Sequence, residues 1–351
     1  MRIKLMLWVI AIGLVVGIYG QLTTYLKDSV ESSLSHTWGC KVTLQGCQWI
    51  FPSEMRLTGV TISAEPGQGG GPLLSIGELK ASFNLLMFLS GQPGIVLEVT
   101  APRFLLKRGP EGSLHLPLTG FRTSPSPKRR MIGLSRLRIR EGELTFLDQM
   151  VSPQVTWEFR DLRLSVKSGP LLSGYSFSAM GVLVDSSLQP IGKFEASGEL
   201  SFHQTAHAQV RMVHQELSQL GPYVRRALGT APSSGSFQLE STVTLNQGMM
   251  VAQAQLTATQ VAFATDEPTV LGPPGNRLVE LLEDSQKQIH LNFVVKGRLG
   301  EKLDWSDLMS SALREAMRQA LARSLKGILS DSGQMRPVEE LIRKGLESLG
   351  R

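Results

Sequence analysis

The chain has 351 residues, of which 42% are hydrophobic and 6% aromatic, with 35 Gly and 18 Pro. It is too apolar for a disordered chain and too interrupted for a helical bundle, so a mainly β fold of short strands joined by turns is expected. A net charge of +6 suits an anionic membrane surface, but no basic motif interleaved with aromatics and no zinc-finger spacing points to nucleic acid, which is not expected as a partner.

The N-terminus carries the strongest positional signal. Arg2 and Lys4 precede an uncharged apolar run from Leu5 to Gly20, carrying Leu5, Trp8, Ile12, Val16 and Tyr19. As a helix this run is ~24 Å long, and the uncharged residues up to Leu26 extend it towards the ~30 Å of a bilayer core. Residues 1–26 are therefore expected to form a single-pass anchor. Cations ahead of the run place the N-terminus in the cytoplasm and the bulk of the chain across the membrane. A cleaved signal peptide shares the charge pattern, but Val16 to Gly20 offer no clear small-x-small site. Leu22, Tyr25, Leu26, Val30 and Leu34 then recur at helical spacing, extending an amphipathic helix to about Trp38.

Cys40 and Cys47 are the only cysteines, and both fall on the exported side, where a disulfide persists. Six residues and an expected turn separate them, leaving a bridge sterically open. After Trp38 the period changes to two. Lys41 to Leu44 and Met55 to Ile62 read as strands, and residues 27–122 as an N-terminal β region behind the amphipathic helix. The glycine-rich stretch Glu65 to Pro72 lacks the Lys-Ser/Thr pair of a phosphate loop and reads as a hairpin or linker. Leu85 to Gly91 reads as a buried helical turn, Ile95 to Val99 and Arg103 to Lys107 as strands, and Pro102 as the mark of an edge or strand start. Residues 123–133, with Pro125, Pro127 and three consecutive cations, read as a linker.

Alternation is cleanest in residues 134–303. Leu137 and Ile139 lie between arginines, and Leu162, Leu164 and Val166 are interleaved with polar residues. The same code runs through Phe194 to Phe202, through Phe237, Leu239, Val243 and Leu245, and through Met250 to Ala258 with Leu256. It reappears in Leu291 and Phe293 of a closing strand. One apolar and one polar face are the signature of an antiparallel sheet with one side covered. Glu216 to Gly229 and Asn276 to Leu282 read as short helical insertions. Residues 304–351 read as two basic amphipathic helices, the second beginning at Pro337. No βαβ rhythm suggests a nucleotide-binding fold.

No catalytic, cofactor or metal constellation emerges. The six histidines are scattered, and His203 and His207, four apart, have no Glu or Cys to complete a ligand set. The chain reads as a non-enzyme, with no cofactor.

Three stretches resemble the AsmA-like family of envelope proteins of Gram-negative bacteria: the anchor running into Phe51 to Ile62, the helical Glu216 to Gly229 followed by Ser234 to Leu239, and Leu281 to Asp284 followed by Ile289 to Leu299. The chain departs from the family at Gly300 to Leu303, which stand where a Pro usually follows the closing strand. The resemblance implies an inner-membrane-anchored periplasmic protein whose elongated antiparallel sheet curls into an open groove. Relatives use such a groove for phospholipid transport or outer-membrane maintenance. On this view Leu137, Ile139, Leu162, Leu164, Val166, Phe194, Phe237, Leu239, Val243, Leu245, Leu256, Leu291 and Phe293 line the groove, and phospholipid and the inner membrane are the partners. About a dozen strands give a groove of only ~60 Å. A weaker similarity to the N component of type II secretion systems implies instead a structural part of a secretion or envelope-assembly apparatus with protein partners.

Overall fold

The computed structural model describes residues 25–35, 40–50, 53–63, 72–83, 94–110, 114–115, 133–169, 174–185, 187–201, 205–264, 268–298 and 305–331. The expected anchor residues Leu5, Trp8, Ile12, Val16 and Tyr19 lie outside them, as do nearly all of the 123–133 tract, the turn at Leu85 to Gly91 and the helix after Pro337. Among the described residues no helix is long and apolar enough to cross a membrane.

The fold is mainly β. Helix α1 (residues 25–35) is followed by β1 (Lys41–Thr43), β2 (Gly46–Ile50), β3 (Glu54–Ser63), β4 (Pro72–Phe83), β5 (Gly94–Arg108), β6 (Leu114–His115), β7 (Gly133–Asp148) and β8 (Val155–Ser168). Then come β9 (Gly174–Val184), β10 (Pro190–Ser201), β11 (Thr205–Glu216), α2 (Gly221–Leu228), β12 (Pro232–Asn246), β13 (Met249–Phe263), α3 (Gly275–Leu282), β14 (Gln288–Arg298) and α4 (Trp305–Asp331). One open sheet contains all the strands, in sequence order from β3 to β14 except that β6 lies off this path, paired with β5. Strands β4 and β9 were not legible as strands. In β4, Gly77 breaks the alternation after Ile76.

The chain divides into two compact units whose boundaries cut across β5, β7, β8 and β9. Each has its own core. In the unit that contains β1 to β4, Val42, Leu57, Val60, Ile62 and Leu74 are buried, and Leu26, Val30 and Leu34 of α1 pack on them. That helix also serves the sheet edge. The outward N–H of Val42 donates to Ser35 Oγ at 3.0 Å, and that of Leu44 donates to the Glu31 carboxylate. Edge amides that would otherwise be free to pair with another chain are thereby satisfied.

A repeated device keeps one side of this sheet apolar. Core residues step by two along a strand, then by three: Leu57 to Val60 in β3, Ile76 to Leu79 in β4, and Ala258 to Val261 in β13. Two of these steps hold a residue of positive φ, Gly59 (+59°) and Gln260 (+53°), and β5, β7 and β8 carry such residues too, at Ala101 (+49°), Glu141 (+54°) and Asp161 (+49°). A left-handed residue turns the next peptide plane over, so alternation resumes in the opposite phase. Gly59 and Gly77 face each other between the pairs Thr58↔Glu78 and Val60↔Ile76, and Gly77 faces Ala101 between Ile76↔Pro102 and Glu78↔Thr100. The kinks thus line up across neighbouring strands. Pro102, expected at an edge or strand start, is instead buried inside β5. It is tolerated because the ladder is already interrupted at Ala101.

The expected all-antiparallel sheet is corrected at one seam. Ion pairs join Glu98 to Arg138 at 3.4 Å, Arg103 to Glu143 at 3.1 Å and Arg108 to Asp148 at 3.2 Å. Every partner is 40 residues further along the chain, as are the kinks Ala101 and Glu141. A constant offset is a parallel register, whereas antiparallel pairing keeps the sum constant, so β5 and β7 run parallel and the sheet is mixed. A parallel pair needs a crossover of a dozen or more residues. Residues 109–132, which include most of the tract read as a linker, make that connection.

The last rung is the buried one. Arg108 is 3% and Asp148 1% exposed, and Tyr223 Oη of α2 donates to Asp148 Oδ2 at 2.7 Å. Removing one partner of a buried pair leaves a desolvated charge uncompensated. Asp148→Ala is expected to destabilise the protein by about 3–5 kcal/mol, read as a lowered urea midpoint, whereas Glu143→Ala at the exposed rung is expected to cost no more than about 1 kcal/mol.

Candidate functional site

The registers of β10 to β14 place side chains in rows across five strands. One row reads Phe194, Met212, Leu239, Leu256, Leu291, and the next Ala196, Val210, Ser241, Ala254, Phe293. A third reads Gly198, Ala208, Val243, Ala252, Val295, and a fourth Leu200, Ala206, Leu245, Met250, Gly297. Directly opposed residues point to the same side of a sheet, so all four rows belong to one face, interrupted by a single hydroxyl. The intervening rows are polar, as in Glu195, Arg211, Glu240, Gln255 and Asn292, where Arg211 pairs with Glu240 at 3.3 Å. Small side chains dominate the second and third rows and make the apolar face shallow there.

Helices cover one end of this face. Val224, Ala227 and Leu228 of α2, Leu278 and Val279 of α3, and Ala316 and Met317 of α4 share a buried core with Phe237, Leu256, Ile289, Leu291, Phe293 and Val295. Polar side chains hold the cap: Arg314 Nε donates to the Ala227 carbonyl at 3.0 Å, Ser310 Oγ to the Tyr223 carbonyl at 3.4 Å, and Ser324 Oγ to the Leu281 carbonyl. Arg314 thereby satisfies orphan carbonyls at the α2 C-terminus.

The expected lining residues therefore fall into separate groups. Phe237, Leu256, Leu291 and Phe293 belong to a covered core. Leu239 packs on that core, and Phe194, Val243 and Leu245 continue the same rows as half-buried side chains. Leu137 and Ile139 pack on the core beneath α1. Leu162, Leu164 and Val166 are half-buried in β8. The reading from sequence put His203 and His207 on an alternating strand but named no lining residue of β11, whose Ala206, Ala208, Val210 and Met212 complete the rows. The alternation with His207, Gln209 and Arg211 was present, but alanine is a weak apolar signal.

Cys40 and Cys47, between which the sequence leaves a bridge open, are both free. Lys41↔Ser63 and Cys47↔Leu57 lie on one extended run along β3, with no turn between them. From Lys41 to Cys47, six residues at ~3.3 Å each span ~20 Å, far beyond the reach of a disulfide. Burial pushes both thiols above the usual cysteine range.

Elsewhere, Thr257 Oγ1, His290 Nδ1, His290 Nε2 and Asp284 Oδ2 form a chain with contacts of 3.1 and 3.2 Å. This order of groups resembles a nucleophile, base and orienting carboxylate, but all lie on the exposed polar side. Asp284 is engaged in the turn, accepting from the Gln286 and Gln288 N–H groups at 2.8 and 3.0 Å. Those backbone donors, Gln288 first, lower its pKa below the usual carboxylate range. The chain is a hairpin staple. His207 is an exposed strand residue opposite Glu199 and Thr244, and His203 lies outside the described residues. Among the described residues no cluster of ligating side chains could hold a metal ion. The sequence matches no protein-family model and no curated protein.

Tyr223 provides a titratable probe of the cap. Burial, then the Asp148 hydrogen bond, hold its hydroxyl protonated well above the usual tyrosine range. A folded-state pKa above the unfolded one stabilises the fold below the unfolded pKa, and that contribution is lost as pH rises through the folded value. Stability is expected to decline from about pH 10 upwards, and Tyr223→Phe to flatten that decline, as measured by urea unfolding across alkaline pH.

Proposed function

We propose that this protein is an AsmA-like envelope component that holds acyl chains against the apolar face of its β-sheet, anchored in the bacterial inner membrane by residues 1–26 with its bulk in the periplasm. The observation that supports this reading is the set of four apolar rows, which extend from the helix-covered core into half-buried positions on which no described helix packs. Five strands at ~4.8 Å span ~19 Å, comparable with the ~15 Å that one leaflet's chains occupy in a ~30 Å hydrocarbon core. Each methylene removed from water contributes ~0.8 kcal/mol. The opposite face, with its Glu, Arg, Gln and Asn row, stays in water. A phospholipid lying on the apolar rows would thus keep its chains dry at no cost to the polar side.

A second reading, a structural part of a secretion or envelope-assembly apparatus, draws support from the covered end of the same face. Phe237, Leu256, Leu291 and Phe293 serve there as ordinary core.

Native mass spectrometry of the full-length protein separates the two. Co-purified phospholipid is expected, and Val243→Asp, placed between Ala208 and Ala252, is expected to abolish it while the unfolding midpoint falls only slightly. Wild-type protein free of lipid would sink the acyl-chain reading.

A further inference from the structure

Beneath the helical cap the packing is incomplete. About 50 Å³ of free volume lies between the sheet and the three helices, against Leu256, Ala258 and Leu291 on the floor, Leu278 and Val279 of α3, and Met317 of α4. Every side chain around it is apolar. A water needs roughly 10–15 Å³ of such space together with polar partners, so this gap has room for a few heavy atoms but offers water nothing to bind. Two of its floor residues, Leu256 and Leu291, are the last members of the row that runs through Leu239 and Met212 to Phe194. The gap is therefore the covered end of the same apolar surface.

We infer that this gap receives the methyl end of one unbranched alkyl chain whose remainder lies along the apolar rows. The inference rests on the acyl-chain reading above and adds a direction to it: tail under the cap, polar head towards the uncovered rows. The chemistry follows from the lining. A group carrying any hydrogen-bonding atom would be desolvated there without a partner, whereas a terminal methyl with two or three methylenes loses nothing and fills the void. The volume suits one chain end. Helix α4 forms the outer wall and is held on α2 and α3 by the Arg314, Ser310 and Ser324 hydrogen bonds.

The test uses full-length protein and palmitic acid carrying a photoreactive diazirine either at the methyl end or at mid-chain. The methyl-end probe is supplied both as the free acid and as an acyl chain of phosphatidylglycerol vesicles. Methyl-end label is expected on the peptides holding Val279 and Met317, and mid-chain label on β12 and β13. Ala258→Val, which adds two methyls to the void, is expected to cut the methyl-end label several-fold while leaving the mid-chain label and raising Tm. Leu282→Phe, filling from the α3 side, serves as a second blocking variant. Labelling by one source alone supports the inference and names the ligand as free acid or phospholipid. Mid-chain label that is retained while methyl-end label falls on Val243 or Leu245 would overturn the inference but keep the acyl-chain reading. Absence of label from both probes overturns both.

Discussion

Keeping one side apolar along strands of up to 16 residues is the constraint on which the rest of this structure depends. Side chains of a strand alternate, and one slip in phase turns every later apolar residue towards water. Here the phase does slip, in strand after strand, and neighbouring strands slip at the same level: Gly59, Gly77 and Ala101 lie in line. Because all turn over together, the apolar series on either side of the line stay on one face. An isolated left-handed residue in one strand would split that face. A line of slips, left-handed at Gly59 and Ala101, leaves it intact.

The parallel seam between β5 and β7 follows a different logic. A parallel pair has slanted hydrogen bonds and no hairpin to fix its register, and here three ion pairs with a shared offset of 40 residues mark that register. The exposed rungs contribute little to stability. The buried Arg108–Asp148 rung specifies the register most strongly, since any slip leaves two desolvated charges unmatched. Through the hydroxyl of Tyr223 it also fixes α2, and α2 in turn receives the Arg314 and Ser310 hydrogen bonds of α4. The helical cap, and with it the covered end of the apolar face, thus depends on a polar knot that lines no part of that face.

That dependence explains what was legible in advance. Alternation in Phe194 to Leu200, in Leu239 to Leu245 and in Met250 to Ala258 identified strands with one apolar side, and the periods at Val30 and Leu34 identified a helix that packs on a core. These are local patterns, and local sterics produce them. Arg138, Arg103 and Arg108 gave no such signal, because an arginine in an ion-pair ladder looks like any solvated strand cation until its partner's place is known. The cysteines left their pairing open for the same reason: six intervening residues fit a turn or an extended run equally well.

By itself the sequence determined a mainly β chain with one apolar and one polar strand face, an α1 that buries Leu26, Val30 and Leu34, and an apolar N-terminal run. Those properties follow from side-chain periodicity, which each segment carries alone. Only the tertiary structure decided which strands are neighbours, that β5 and β7 run parallel, and that Cys40 and Cys47 stay apart. It also decided that Phe237, Leu256, Leu291 and Phe293 are roofed by helices while, among the described residues, no helix packs on Val243 and Leu245. All of these depend on pairings between residues distant in sequence, and an apolar side chain has the same pattern whether a helix or nothing lies above it.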